Sequence, residues 1–252
     1  MFIHNINPVL FNLGPIEIRY YGLVYALAVI LIYILLRKYK EELGLKKDGE
    51  IETLILIVFL GMLVGARIFH FLFSDLSIFI KDPFELLRIW HGGMSFFGGL
   101  IGSVLAGWLY VRKKKLNFWK LADIIVIPAA LTLGIGRIAN FANAEIVGTI
   151  TTVAWCFDFG DGLCRHPYQL YAAFYHFVIF GALVYIQQLK KRINLKQGIV
   201  FASFLFLYCL FRFITDFWRD DTRWLGLTIW QGFSIIGVII GVILLYSLFK
   251  KK

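Results

Sequence analysis

The stretch ETLILIVFLGMLVGARIFHFLF, residues 52–73, carries only two charges, Glu52 at its start and Arg67 two-thirds of the way along. About twenty apolar residues are enough to cross the roughly 30 Å of hydrocarbon in a bilayer, so this stretch predicts a membrane-spanning helix. An arginine inside such a helix costs at least about 2.5 kcal/mol on insertion scales and is ordinarily kept for a partner or a ligand. Similar runs lie outward in both directions, near 17–36, 92–111, 120–140, 167–189, 198–218 and 229–249, and bring the expected total to seven. The first is too long for a cleaved signal peptide, follows an uncharged start and has no small-residue cleavage site after it, so it is expected to remain as a helix.

Composition agrees with a chain solvated mostly by lipid. Of 252 residues, 60% are apolar and 17% charged, with 25 Phe and 7 Trp. A soluble enzyme, a disordered chain, a collagen and a disulfide-rich secreted scaffold are excluded together. The net charge of +10 would suit nucleic acid, but the basic residues sit in short clusters between apolar runs, where membrane topology accounts for them, and no nucleic-acid partner is expected. The expected architecture is an all-α integral membrane protein: one polytopic domain over 1–252, seven transmembrane helices, and a small extracytoplasmic loop, 143–166, between spans four and five.

The basic residues set the orientation. The links after spans one, three and five hold Arg37, Lys38, Lys40, Lys46 and Lys47, then Arg112 to Lys115 with Lys120, then Lys190, Lys191, Arg192 and Lys196, and the tail adds Lys250 to Lys252. The opposite links hold only Lys81, Arg88, Arg165 and Arg223. The positive-inside rule then puts the N-terminus outside and the C-terminus in the cytoplasm, as an odd number of spans requires.

Arg19, Arg67, Arg137, Arg212 and Arg219 remain inside spans or at their edges. With the orientation fixed, Arg67, Arg137, Asn140, Arg212, Asp216 and Arg219 are expected in the outer half of the membrane. Arg19, Tyr20, Tyr21, His91, Arg165, His166, Gln169 and Gln231 are expected at the same level, while 101–109 and 178–185 are almost purely apolar. Tyr208, Arg212, Asp216 and Arg219 are spaced to share a sector of roughly 80° on one helix. Two readings fit: an internal arginine–carboxylate clamp, or an anionic ligand at headgroup depth. One carboxylate cannot neutralise so many arginines, and guanidinium prefers the bidentate geometry that a phosphate offers. A phospholipid headgroup suits this best.

Gly61, Gly65, Gly98, Gly99, Gly102, Gly134 and Gly136 fall in or beside spans, where small residues let helices approach closely. Gly134-Ile135-Gly136-Arg137 follows no strand and is not a dinucleotide fingerprint. Cys156 and Cys164 stand eight positions apart in the outer loop, so either a disulfide or two free thiols is expected there, and Cys209 is expected to serve packing. Asp82-Pro83, between spans two and three, can start a short interfacial helix.

Five segments together resemble the prolipoprotein diacylglyceryl transferase family: GPIEIRYYGLVY (14–25), WHGGMSFFGG (90–99), GIGRIANFANAEIVG (134–148), RHPYQLY (165–171) and YCLFRFITDFWR (208–219), with Gln231 following in register. The resemblance covers nearly the whole chain. It implies a plasma-membrane enzyme with seven spans that takes phosphatidylglycerol as donor. Such an enzyme transfers the diacylglyceryl group to the lipobox cysteine of a preprolipoprotein signal peptide, the first step of lipoprotein maturation, and releases glycerol phosphate.

The resemblance also implies site roles. Arg137 matches the arginine of the family's most characteristic segment and would be the principal headgroup contact, with Asn140 beside it. Arg212 and Arg219 would hold the leaving phosphate. Asp216 stands where the family usually has glutamate, and Tyr21 and Tyr208 match tyrosines that would donate to phosphate or glycerol oxygens. Arg67 and Gln231 complete the phospholipid-binding set.

Two positions depart from the pattern: Phe97 stands where the family commonly has the histidine proposed to activate the thiol, and Ala172 where it has glutamate. His91 is the substitute base that this reading favours, suited by its unperturbed pKa near 6.5. His166 and Glu145 rank behind it, and His4, His70 and His176 read as structural or interfacial. The departures also motivate an alternative, a catalytically impaired homologue that binds anionic phospholipid or lipoprotein signal peptides without turnover. A transporter fits the span count, but the polar residues form a layer and not a path. The histidines and cysteines show no metal-ligand spacing, and no metal or cofactor is expected.

Overall fold

The structure is a computed structural model that describes residues 1–13, 16–45, 47, 49–73, 75–88 and 92–250. Its helices are α1 (Tyr20–Lys38), α2 (Lys40–Leu43), α3 (Glu50–Phe73), α4 (Leu76–Lys81), α5 (Phe96–Lys113), α6 (Phe118–Ala142), α7 (Tyr168–Ile193), α8 (Ile199–Thr215) and α9 (Ile229–Phe249). Short strands lie between them: β1 (Phe2–Ile3), β2 (Val9–Leu13), β3 (Ile16–Arg19), β4 (Phe157–Asp158), β5 (Arg223–Trp224) and β6 (Leu227–Thr228). Six helices are long and apolar enough to cross a membrane, namely α1, α3, α6, α7, α8 with the 3-10 turn that extends it to Trp218, and α9. The chain is therefore a mostly helical, multi-pass membrane protein. The expected third span corresponds to α5, which is not among those six.

Six of the expected spans have such a helix, and the first shows how a boundary moves. Residues 17–19 lie not in α1 but in β3, paired antiparallel with β2 so that Arg19 stands opposite Val9. Arg19 is exposed and bonds to Glu17 at 2.7 Å, so it belongs to a surface hairpin and not to the buried arginine set.

Backbone contacts group the chain into two units, Met1–Ile32 with Ala122–Lys252, and Tyr33–Leu121. The first unit is built on α6, α7, α8 and α9. Its core gathers Val126 and Ala130 of α6, Tyr168, Ala172, Tyr175, Ile179 and Leu183 of α7, and Ile199 and Val200 of α8. The α7 positions recur every three or four residues, the period that lines up one face of a helix. Ala172, where a glutamate was the expectation for the family, is fully buried in this apolar layer. Gly237 and Gly241 let α9 come against Cys209 and Phe206 of α8, because a Cβ on either would collide with them. Cys209 is free and buried.

One end of this unit is closed by Asp123, which is fully buried. Its carboxylate accepts from the backbone N–H of Gly198 and Phe201 and pairs with Lys190 Nζ at 2.7 Å. A single side chain thus ties the start of α6 to the end of α7 and the start of α8. Lys196 donates to the carbonyl of Lys250 at the same end.

The other end carries the loop between α6 and α7, expected from the sequence to be extracytoplasmic. Cys156 and Cys164 form a disulfide with Cα atoms 5.4 Å apart, which settles the choice between bridge and free thiols. β4 pairs in parallel with β1, and Phe2, His4, Phe141, Phe157 and Phe159 stack around the junction. His4 is structural, as expected.

In the second unit α3 packs along α5. A Cβ on Gly61 or Gly65 would collide with Gly102 or Gly98 of the facing helix, so the expected close approach is real. The connector between them forms α4 and then a 3-10 turn, Pro83–Leu87, where Asp82 caps Phe84 N–H and the proline occupies the first turn, as expected.

Candidate functional site

Arg67 points into that connector. Its Nε donates to the carbonyl of Leu86, its Nη1 to those of Gly92 and Gly93, and its Nη2 to those of Glu85 and Arg88. A guanidinium has five N–H groups, and each is matched here. The side chain is 3% exposed and also lies over the Phe71 ring. Arg67, expected to bind phospholipid, is thus placed where its donors serve the connector of the second unit. His70 pairs with Asp75 in the same unit, a structural role. His91, the base favoured from the sequence, lies outside the described residues.

The remaining arginines belong to the first unit and sit at the end opposite Asp123. Tyr168, in the first turn of α7, is the common point. Its hydroxyl donates to Asp216 Oδ1 at 2.5 Å, and the Arg219 guanidinium lies 6.0 Å from its ring centre. Arg137 of α6 and Arg212 of α8 both act on it electrostatically. Asp216 is fully buried, with its other oxygen 3.8 Å from Arg212 Nε. Arg212 also donates to the Tyr208 hydroxyl at 2.8 Å. Arg212 and Arg219 both approach the ring of Trp230, at 5.6 and 5.9 Å. The expected face of Tyr208, Arg212, Asp216 and Arg219 is thus present, although α8 ends at Thr215 and a 3-10 turn carries Asp216.

A second cluster adjoins through Arg137, whose Nη1 donates to Asn140 Oδ1 at 3.2 Å. The Asn140 amide donates to the Tyr21 hydroxyl and to Glu145, and Tyr21 donates to Glu145 Oε2 at 2.5 Å. Glu145, a minor candidate from sequence, is the acceptor that organises this group. Asn143 also donates to it.

Gln231 is fully buried but is committed elsewhere. It forms a capping box with Thr228 at the start of α9 and donates to the carbonyl of Phe213. The amide, expected at a lipid contact, joins α8 to α9.

Arg165 and His166 are in the outer loop. Arg165 bonds to Asp161 at 2.5 Å and to Asp220 at 2.7 Å. The bond from Arg165 holds the Asp161 carboxyl below its ordinary range, and the bond to Asp161 pushes the arginine further up. Burial pushes the His166 imidazole down. Its Nδ1 faces the Tyr171 hydroxyl, which also accepts from Trp155, on the wall of an aromatic cleft of about 340 Å³.

Sequence reasoning passed over Tyr168 and Tyr175 on α7 and read His176 as structural or interfacial. Their signal was present as a 168, 172, 175–176 repeat on a helix opened by RHPYQLY, but tyrosine and histidine on a face of alanines read as packing.

These features define a class: a multi-pass membrane protein whose arginines gather about a buried carboxylate at one end of a helical bundle, an arrangement that suits an anionic ligand. The chain belongs to the prolipoprotein diacylglyceryl transferase family, whose model matches residues 8–247. It is similar to the phosphatidylglycerol–prolipoprotein diacylglyceryl transferase of Geobacter sulfurreducens, at 40% identity over 227 residues, covering 88% of this chain and 86% of that protein. The enzymes of the same name from Vibrio cholerae and Pasteurella multocida are 35% and 36% identical, covering 98% of this chain and 93% and 95% of theirs. The chain is accordingly a transferase.

Proposed function

We propose that this protein transfers the diacylglyceryl group of phosphatidylglycerol to the lipobox cysteine thiol of preprolipoproteins, at the outer leaflet of the plasma membrane. The chain crosses that membrane seven times, with its N-terminus outside. The clustering of basic residues in alternate links supports this orientation, and so does the placing of Lys190, Lys196 and Lys250 at the Asp123 end of the first unit.

The observation that carries the proposal is the gathering of arginines about Tyr168: Arg219 lies over its ring and pairs with Asp221, Arg212 faces the Asp216 that Tyr168 bonds to, and Arg137 acts on the same tyrosine electrostatically. Displacing a phosphate from the glyceryl carbon builds charge on the departing oxygen, and preorganised cations in a dry site stabilise that charge most effectively. Arg137, Arg212 and Arg219 hold the phosphate, with Arg212 kept in place by Asp216 and Tyr208. Tyr21 and Asn140, bonded to Glu145 and to each other, hold Arg137 in position for the headgroup. Asp216 offsets part of the positive charge before the lipid arrives.

Mass spectrometry of a lipobox peptide incubated with purified protein and phosphatidylglycerol tests the proposal. A diacylglyceryl thioether on the cysteine is expected, and its absence with Arg137→Ala. Binding of the lipid with no adduct from the unmutated protein would favour the non-catalytic homologue.

A further inference from the structure

Transfer to a thiol needs a group that takes its proton, because the thiolate is the nucleophile. Among the described residues of the first unit, the acceptors near the arginines are mostly engaged. Glu145 accepts from Tyr21, Asn140 and Asn143. Asp216 accepts from Tyr168 and faces Arg212. His166 is bonded to Tyr171 in the outer loop.

The second oxygen of Asp216 has no hydrogen-bond donor but stands 3.8 Å from Arg212, whereas the free nitrogen of His176 has neither. His176 sits on α7 two turns below Tyr168 and is fully buried. Its Nδ1 lies 2.6 Å from the carbonyl oxygen of Ala172. A carbonyl can only accept, so Nδ1 carries the proton and Nε2 presents a lone pair. Nε2 is buried and has no hydrogen-bond partner. A buried acceptor without a donor costs free energy and asks for a reason. The imidazole stacks on Tyr175 at 4.4 Å and meets edge-on, at 5.7 Å, the ring of Tyr208, whose hydroxyl accepts from Arg212. The Tyr175 hydroxyl beside it also lacks a partner. The lone pair therefore lies among the groups assigned to the headgroup, about 12 Å along α7 from its start, on the bilayer side of Tyr168.

We propose that His176 is the catalytic base that accepts the thiol proton, an inference that rests on the transferase function above. In the step, the cysteine S–H proton moves to Nε2 as sulfur bonds to the glyceryl carbon. The bond from that carbon to the phosphate oxygen breaks, its electron pair stays on the oxygen held by the arginines, and the imidazolium returns its proton to the glycerol phosphate. The carbonyl of Ala172 fixes the ring in the tautomer that leaves Nε2 free. A base at this position also accounts for how a chain with Phe97 can activate a thiol.

His176→Asn separates this role from packing, because its amide can still donate to Ala172 while nothing basic remains at the Nε2 position. Transfer to a lipobox peptide, equilibrium binding of phosphatidylglycerol and thermal unfolding are measured on the full chain in detergent. The expected result is a turnover loss of about 100-fold or more, with lipid affinity and melting temperature unchanged and with partial rescue of His176→Ala by added imidazole. Wild-type turnover in His176→Asn would overturn the assignment. So would a turnover loss matched by an equal loss of lipid binding and stability in both variants, with no imidazole rescue. Absence of thioether from the unmutated protein would instead refute the transferase function, and this inference with it.

Discussion

The Tyr21 hydroxyl donates to Glu145 at 2.5 Å, joining the first turn of α1 to the residue three positions past the end of α6. Asn140 donates to both, and Arg137 donates to Asn140. Arg137, the proposed headgroup contact, is thus held by a chain of side chains from three segments, and a fault anywhere along it should reach Arg137. Tyr21→Phe removes the bond to Glu145 while keeping the ring. It should lower kcat/KM by about 100-fold, the scale on which a single oriented donor acts, with little change in melting temperature. Steady-state kinetics on the purified variant checks this.

Arg67 makes a contrasting case. Its five donors serve the connector between α3 and α5, so Arg67→Ala should cost stability and not lipid affinity. Hydrogen bonds to charged groups contribute about 1.5–3 kcal/mol each, and a total loss of at least about 3 kcal/mol is expected in denaturant titration. Lipid binding measured on the fraction still folded should match the unmutated protein.

Asp123 pairs with Lys190 while capping Gly198 and Phe201. Asp123→Ala would leave a lysine largely buried without its partner, at a cost of about 3–5 kcal/mol. Thermal unfolding should show the loss, and transfer by the surviving folded protein should be near normal, since Asp123 lies at the end of the bundle away from the arginines.

The outer loop should weaken on acidification for two reasons. Burial holds the folded His166 below its unfolded pKa, so below pH about 6.5 the unfolded chain binds a proton that the folded chain resists, and stability falls with pH. Asp161, held low by Arg165, contributes fully above about pH 3.9 and loses its contribution as pH falls through the folded value. Melting temperature against pH should slope downward below about 6.5 in the unmutated protein. His166→Gln should flatten the upper part of that slope, and Asp161→Asn the lower.

Much of this fold was legible because lipid imposes a strict rule: a row of twenty apolar residues with no polar face is stable as a helix in hydrocarbon and almost nowhere else. Glu50–Phe73, Ile229–Phe249 and the other long helices follow directly. The start of α1 was not legible, since Ile16-Glu17-Ile18-Arg19 runs without a turn residue into the apolar helix and pairing with Val9–Leu13 makes it a strand. At the site, the arginines stood out because charge in an apolar run is costly, but cost alone does not say who bears it. Arg67 found backbone carbonyls and Gln231 a helix cap, both of which depend on loops whose path the sequence does not reveal. His176 was passed over because a lone histidine among Tyr175, Ala172 and Ile179 looks like packing until its unpartnered nitrogen is seen.

Coupled transfer and phosphate release is the core of the proposed chemistry, and phosphorus NMR of glycerol phosphate, counted against thioether formation in one reaction with phosphatidylglycerol and a lipobox peptide, measures it directly. One glycerol phosphate per thioether is expected, with both lost in Arg137→Ala. Release without thioether, as from a lipase, or thioether formation undiminished in Arg137→Ala, would contradict a transferase that works through these arginines.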